Sequence, residues 1–176
     1  MFHTASNFNG KLFNSTAKVT TFSHMFYLAS KFNQQVSQFD TANVIDMKAT
    51  FHQAGAFNQD VSKWSIGKVT TLENTFMLAS KFNGDVSRWN VANCKSLVGT
   101  FRDTKAFNGD INSWDVANCI SFAGTFRDAK AFNGDLSKWT TSKATIMKQM
   151  FLGAAVYNND ISKWKVAKVT TMYQST

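Results

Sequence analysis

Phenylalanine recurs at a fixed interval along almost the whole chain. Phe26, Phe51, Phe76, Phe101, Phe126 and Phe151 stand 25 residues apart without an exception. Phe32, Phe57, Phe82, Phe107 and Phe132 keep the same interval, with Tyr157 in the last place, and an asparagine follows each, from Asn33 to Asn158. All five tryptophans, Trp64, Trp89, Trp114, Trp139 and Trp164, share one further slot, headed by Phe39. Such a period marks a chain of stacked units, because one unit cannot bury its own apolar face. Seven units account for the 176 residues. The first is one residue short, since Phe8-Asn9 precedes Phe32-Asn33 by 24, and the missing residue falls between Leu12 and Val19.

Within a unit the apolar spacing changes character. Leu72, Phe76 and Ala79 sit at i, i+4 and i+7, one face of a helix, with Thr71 as its N-cap. Phe82-Asn83-Gly84-Asp85 reads as a bend in which Asn-Gly supplies a positive φ. The asparagine ladder at this bend is expected to hydrogen-bond bend amides in the neighbouring coil. Beyond the bend, Trp89 and Val91 alternate with polar neighbours, a strand signature, and Ala92-Asn93 turns the chain again. Ile111-x-x-Trp114-x-Val116-x-x-Cys119 also follows the strand segment of a leucine-rich repeat, while a strand around Asp110-Ile111-Asn112 fits as a second register. The predicted fold is therefore an α/β repeat solenoid, leucine-rich-repeat-like. Its seven 25-residue coils would put a parallel sheet on one side and short helices on the other. Helices are about 10 Å thick and strands stack at about 4.8 Å, so the rod should curve. Residues 1–176 read as a single repeat domain of a longer array. Phe2 has no preceding cap and Val169-Thr170-Thr171-Met172 reads as an inner coil, so further repeats or other chains are expected to cover the ends.

Composition narrows the function. With 44% hydrophobic residues, 17 Phe and no Pro, the chain can bury enough surface to fold. No apolar run approaches the roughly 18 to 20 residues that span a bilayer, and Met1-Phe2-His3-Thr4 lacks a secretory pattern. The net charge of +8 favours acidic partners, although it is spread thinly, with 17% charged residues and no basic run.

The unit Phe82-Asn83-Gly84-Asp85-Val86-Ser87-Arg88-Trp89-Asn90-Val91, together with Val69-Thr70-Thr71-Leu72 and Met150-Phe151, resembles the 25-residue repeat of BspA-like leucine-rich-repeat surface proteins. The match runs through all seven units. Ala144, where Val or Cys stands elsewhere, and the shortened first unit depart from it. The resemblance implies a leucine-rich-repeat-like solenoid, often at the cell surface or secreted and largely without assigned activity.

Candidate chemistry is sparse. Asp60, Asp85, Asp110, Asp135 and Asp160 form a carboxylate column, with Gln35 and Lys11 in that slot at the start. One Asp per unit supplies too few oxygens for a calcium site, and bend-capping accounts for it better. Three residues on, the column Lys63, Arg88, Ser113, Lys138 and Lys163 should face outward, flanked by Asp40, Ser65, Asn90, Asp115, Thr140 and Lys165. This is the expected contact surface. With Lys68, Lys143 and Lys168 the same cations form a basic stripe for an acidic glycan or nucleic acid. Nucleic acid is disfavoured, because nearly every aromatic occupies a repeating core slot and few remain to stack on bases. Cys94 and Cys119 occupy a slot otherwise held by Val44, Val69 and Val169, which favours buried free thiols over a disulfide. His3, His24 and His52 form no cluster with Cys or carboxylates, so no metal or cofactor is expected. The Thr pairs are too interrupted for an ice-binding array. A catalytic site needs residues that break the repeat, and none forms a nucleophile constellation. The sequence therefore points away from an enzyme and towards a protein-interaction or scaffold solenoid, at a cell surface or as a subunit of a larger assembly. The alternative is an acidic ligand on the basic stripe.

Overall fold

The computed structural model describes residues 2–12 and 15–174. The chain runs as coils stacked one on another, and backbone hydrogen bonds join each coil to the next. Thr70 N donates to Ile45 O at 2.9 Å and Lys95 N donates to Thr70 O at 2.8 Å. Parallel bridges link residues 21, 46, 71, 96, 121, 146 and 171 in sequence. The 25-residue register read from the sequence is the register of the stack. The shortened bend between Leu12 and Val19 falls in part on residues 13 and 14, which lie outside the described residues.

The expected helices and sheet are absent. Among the described residues there is no α-helix, and extended structure is confined to one isolated bridge residue per coil. Where a helix was expected, Leu72–Phe82 makes consecutive tight turns. Thr75 N donates to Leu72 O, Ala79 N to Phe76 O and Phe82 N to Ala79 O, at 2.9–3.1 Å. Alternate donors leave the coil: the N–H groups of Leu72, Asn74, Phe76 and Leu78 reach Ser96, Val98, Thr100 and Arg102 O at 2.8–3.1 Å. A helix would spend those donors within its own coil and would need about 10 Å of width. Coils that stay hydrogen-bonded on this side sit at strand spacing, about 4.8 Å, so no helix fits. The reason to expect a curved rod disappears with the helices.

Each double turn needs two left-handed residues. Asn74 has φ +55° and Leu78 φ +61°, and their equivalents, such as Ala49 at +52° and Asp103 at +56°, repeat this along the stack. Both lie at the third position of their turn, where a type II geometry requires positive φ. The Asn-Gly bends do not supply it: the positive-φ glycines are Gly99, Gly124 and Gly153. Gly84 serves a different need, because a Cβ there would come within 2.8 Å of the Phe82 ring. The expected strand at residues 86–91, and the equivalent leucine-rich-repeat segment from Ile111, are likewise loops and turns. The bridge falls instead at Thr71, inside Val69-Thr70-Thr71-Leu72, a β-branched run with its apolar ends buried.

The core is a set of ladders. Phe26, Phe51, Phe76, Phe101, Phe126 and Phe151 stack at 5.4–5.9 Å between ring centroids, within 8° of parallel. The tryptophans stack at 6.1–6.4 Å, and each indole N–H donates to a carbonyl 28 residues back, as Trp114 does to Val86 O at 3.0 Å. Buried Thr50, Thr75, Thr100 and Thr125 form a polar seam through this core. Thr100 Oγ1 lies 3.0 Å from Leu72 O and 2.9 Å from Leu97 O. The asparagines tie neighbouring bends as expected: Asn108 N donates to Asn83 Oδ1 at 2.9 Å and Asn133 N to Asn108 Oδ1 at 2.8 Å.

Candidate functional site

The turn that carries each candidate cation is fixed from both sides. Val61 and Trp64 are buried and closed on each other by Trp64 N donating to Val61 O at 3.1 Å, which puts Ser62 and Lys63 at the tip. Asp60 Oδ1 accepts the Ser62 amide at 2.8 Å, and Asp85, Asp110, Asp135 and Asp160 repeat the contact at 2.8–3.0 Å. The serine two residues on holds the carboxyls of Asp60, Asp85, Asp135 and Asp160 below the usual carboxylate value. The Asp column thus caps its own turns.

Lys63, Arg88, Ser113, Lys138 and Lys163 are all exposed, as are Asp40, Ser65, Asn90, Asp115, Thr140 and Lys165. Stacking brings the first five into one column. Among the described residues no ion pair engages Lys63, Arg88, Lys138 or Lys163. Ser113 differs, since its hydroxyl donates to Ser87 O at 2.9 Å. In the flanking column, Asp40, Asn90 and Asp115 accept the amide two residues on at 3.0–3.1 Å, so these side chains shape the next bend. In the basic stripe, Lys68 donates to Asn43 Oδ1 at 2.8 Å and Lys143 to Asn118 Oδ1 at 2.7 Å.

Cys94 and Cys119 are buried free thiols. Burial pushes Cys94 up to about 11 and raises Cys119 as well, so neither is a ready nucleophile. The histidines meet around Tyr27, which stacks on His3 at 4.7 Å and lies 4.8 Å from His52. Burial, then the charges of His24 and Arg102, lowers the His52 pKa. Among the described residues no three His, Cys, Asp or Glu side chains converge on a metal position, and no helix is long and apolar enough to cross a membrane.

Sequence reasoning missed the buried Thr seam, whose signal is Thr50, Thr75, Thr100 and Thr125 one period apart. It also missed Arg102 and Arg127, which share one slot on the double-turn face and break its pattern.

Residues 1–103 and 87–176 each match the model of a family described as Mycoplasma protein of unknown function, DUF285. No curated protein and no solved structure matches the chain.

Proposed function

Because this chain belongs to the DUF285 family, whose function is unknown, we propose from its own geometry that it is a non-enzymatic interaction or scaffold module. One observation carries the reading. Lys63, Arg88, Lys138 and Lys163 project from turns locked by Asp caps, exposed and without ion pairs among the described residues. A row of cations on fixed turns presents charge to an acidic surface at a set spacing, which is what a docking face requires, and ordering each side chain costs about 0.5–1.5 kcal/mol. The finer kinship with BspA-like surface proteins is part of this proposal. Its support is the Phe82-to-Trp89 unit repeated along the chain, and it sets the module at a cell surface as a repeat solenoid.

The test is capture of partners from the native source by the wild-type chain and by a variant with Lys63, Arg88, Lys138 and Lys163 changed to Glu. The expected result is a protein bound by wild type, lost by the variant, and weakened by salt less steeply than a polyanion would be. Binding of a glycan or nucleic acid with a steep salt dependence would replace the scaffold reading by the polyanion one. A partner retained by the variant would remove the column from the account.

A further inference from the structure

On the double-turn face the repeat breaks its own pattern. One slot runs His24, Ala49, Asn74, Gly99, Gly124, Gln149, so the side chain vanishes in two consecutive coils. Three residues on, the slot runs Tyr27, His52, Met77, Arg102, Arg127, Leu152, and the guanidiniums arrive in those same two coils. The next coil adds Lys148. The result is a cleft of about 180 Å³ lined by both glycines, both arginines and Lys148, with Asn74 and Gln149 from the flanking coils.

Positive charge there is only partly answered. The Nε atoms of Arg102 and Arg127 are buried without a hydrogen-bond partner, and the carboxylates of Asp103 and Asp128 stand off at 3.5 Å. Asp128 is shared with Lys130 at 3.1 Å. Arg127 Nη1 donates to Gln149 Oε1 at 2.8 Å, whereas the Arg102 guanidinium donates no hydrogen bond to any described residue. One slot recurs about 5 Å along the stack from coil to coil, so two guanidiniums sharing it are near enough to gain from a shared counter-ion. A planar carboxylate satisfies one fork. A tetrahedral oxyanion, with oxygens in four directions, can take donors from both. We propose that this cleft binds a tetrahedral oxyanion, phosphate or sulfate, between Arg102 and Arg127. The ion is either free or borne on a monoester, and Lys148 completes its charge balance. The site is separate from the Lys63 column.

The full chain would be titrated calorimetrically with inorganic phosphate, inorganic sulfate, glycerol phosphate and acetate. Saturable binding of phosphate or sulfate with a dissociation constant of about 1 mM or tighter is expected, with acetate weaker. Glycerol phosphate binding alongside phosphate would support the site with an ester-borne group, and phosphate alone would support it with the free ion. The repeat itself supplies the replacements, and a Cβ at Gly99 need displace only the end of the Asn74 side chain, whose Oδ1 lies over that glycine. Arg102→Met with Arg127→Leu copies Met77 and Leu152, and should weaken binding about tenfold or more through loss of charge-assisted hydrogen bonds. Gly99→Asn with Gly124→Gln copies Asn74 and Gln149, fills the cleft while keeping both arginines, and should weaken binding similarly. Lys31→Ala with Lys81→Ala, copying Ala56 and Ala106 in the same slot, should leave it unchanged. Failure to saturate, equal affinity for acetate, or undiminished binding by both cleft variants would overturn the proposal.

Discussion

Trp114 shows how a single residue joins two coils. Its ring lies 6.4 Å from those of Trp89 and Trp139, and its indole N–H crosses to Val86 O at 3.0 Å. Trp114→Ala should cost about 3–5 kcal/mol, through lost burial and the cavity left behind. Trp114→Phe copies Phe39 in the same slot and should cost less, about 1–2 kcal/mol for the lost indole hydrogen bond and the smaller ring, because Val86 O keeps the Trp89 amide at 3.1 Å. Chemical denaturation of the two variants separates the terms, and equal losses would show that packing contributes nothing beyond the hydrogen bond. Gly124 tests backbone geometry alone. Its φ is +59°, and a Cβ there would meet nothing nearer than Arg127 Cβ at 3.7 Å. Gly124→Ala should therefore cost about 1–2 kcal/mol, the left-handed penalty without a clash.

The double turn explains what the sequence could and could not disclose at the scale of an element. Leu72, Phe76 and Ala79 are buried, as their spacing indicated, but two successive four-residue turns also return side chains to one side after four and three residues. Periodicity identifies which residues face inward and leaves open whether a helix or turns place them there. The deciding feature is positive φ at Asn74 and Leu78, and leucine gives no hint of it. The period, the core ladders, the Asn tie and the outward cations were legible because they depend only on repetition and polarity. The oxyanion cleft was obscured because its glycines and arginines meet only when double turns stack. The Asp-capped turn, by contrast, declares itself in pH dependence. Folded carboxyls held below 3.8 bind fewer protons than the unfolded chain, so their contribution is whole above that value. It is lost as pH falls through the lower folded value. Asp85→Asn keeps an acceptor for Ser87 and removes one titration, so its thermal midpoint should fall less steeply below about pH 4 than that of wild type. Parallel melting curves across that range would expose a structural role that owes nothing to charge.

For the whole molecule, cross-coil bonds such as Asn133 N to Asn108 Oδ1, Trp114 Nε1 to Val86 O and Leu78 N to Arg102 O all join a coil to its immediate neighbour. Stability should then be close to a sum over coils and the contacts between neighbours, as in other repeat arrays. The permitted length change is set by the 25-residue register. Removing residues 87–111 joins Val86 to Asn112, which occupies the slot of Ser87. Trp64 then faces Trp114, Asn83 ties to Asn133 across one removed coil, and every ladder closes again with like residues. Removing residues 75–100 instead joins Asn74 to Phe101 and leaves the double turn of that coil one residue short, so its amides no longer meet the carbonyls of the next coil in sequence; the native one-residue loss, between Leu12 and Val19, lies outside a double turn. The first deletion should give a shorter protein that melts cooperatively, with the near-ultraviolet signal of stacked tryptophans retained and a lower midpoint. The second should lose that signal and unfold without a sharp transition. A sharp transition in both would mean that the stack absorbs a slip in register, and that the ladders follow the packing of the coils rather than determine it.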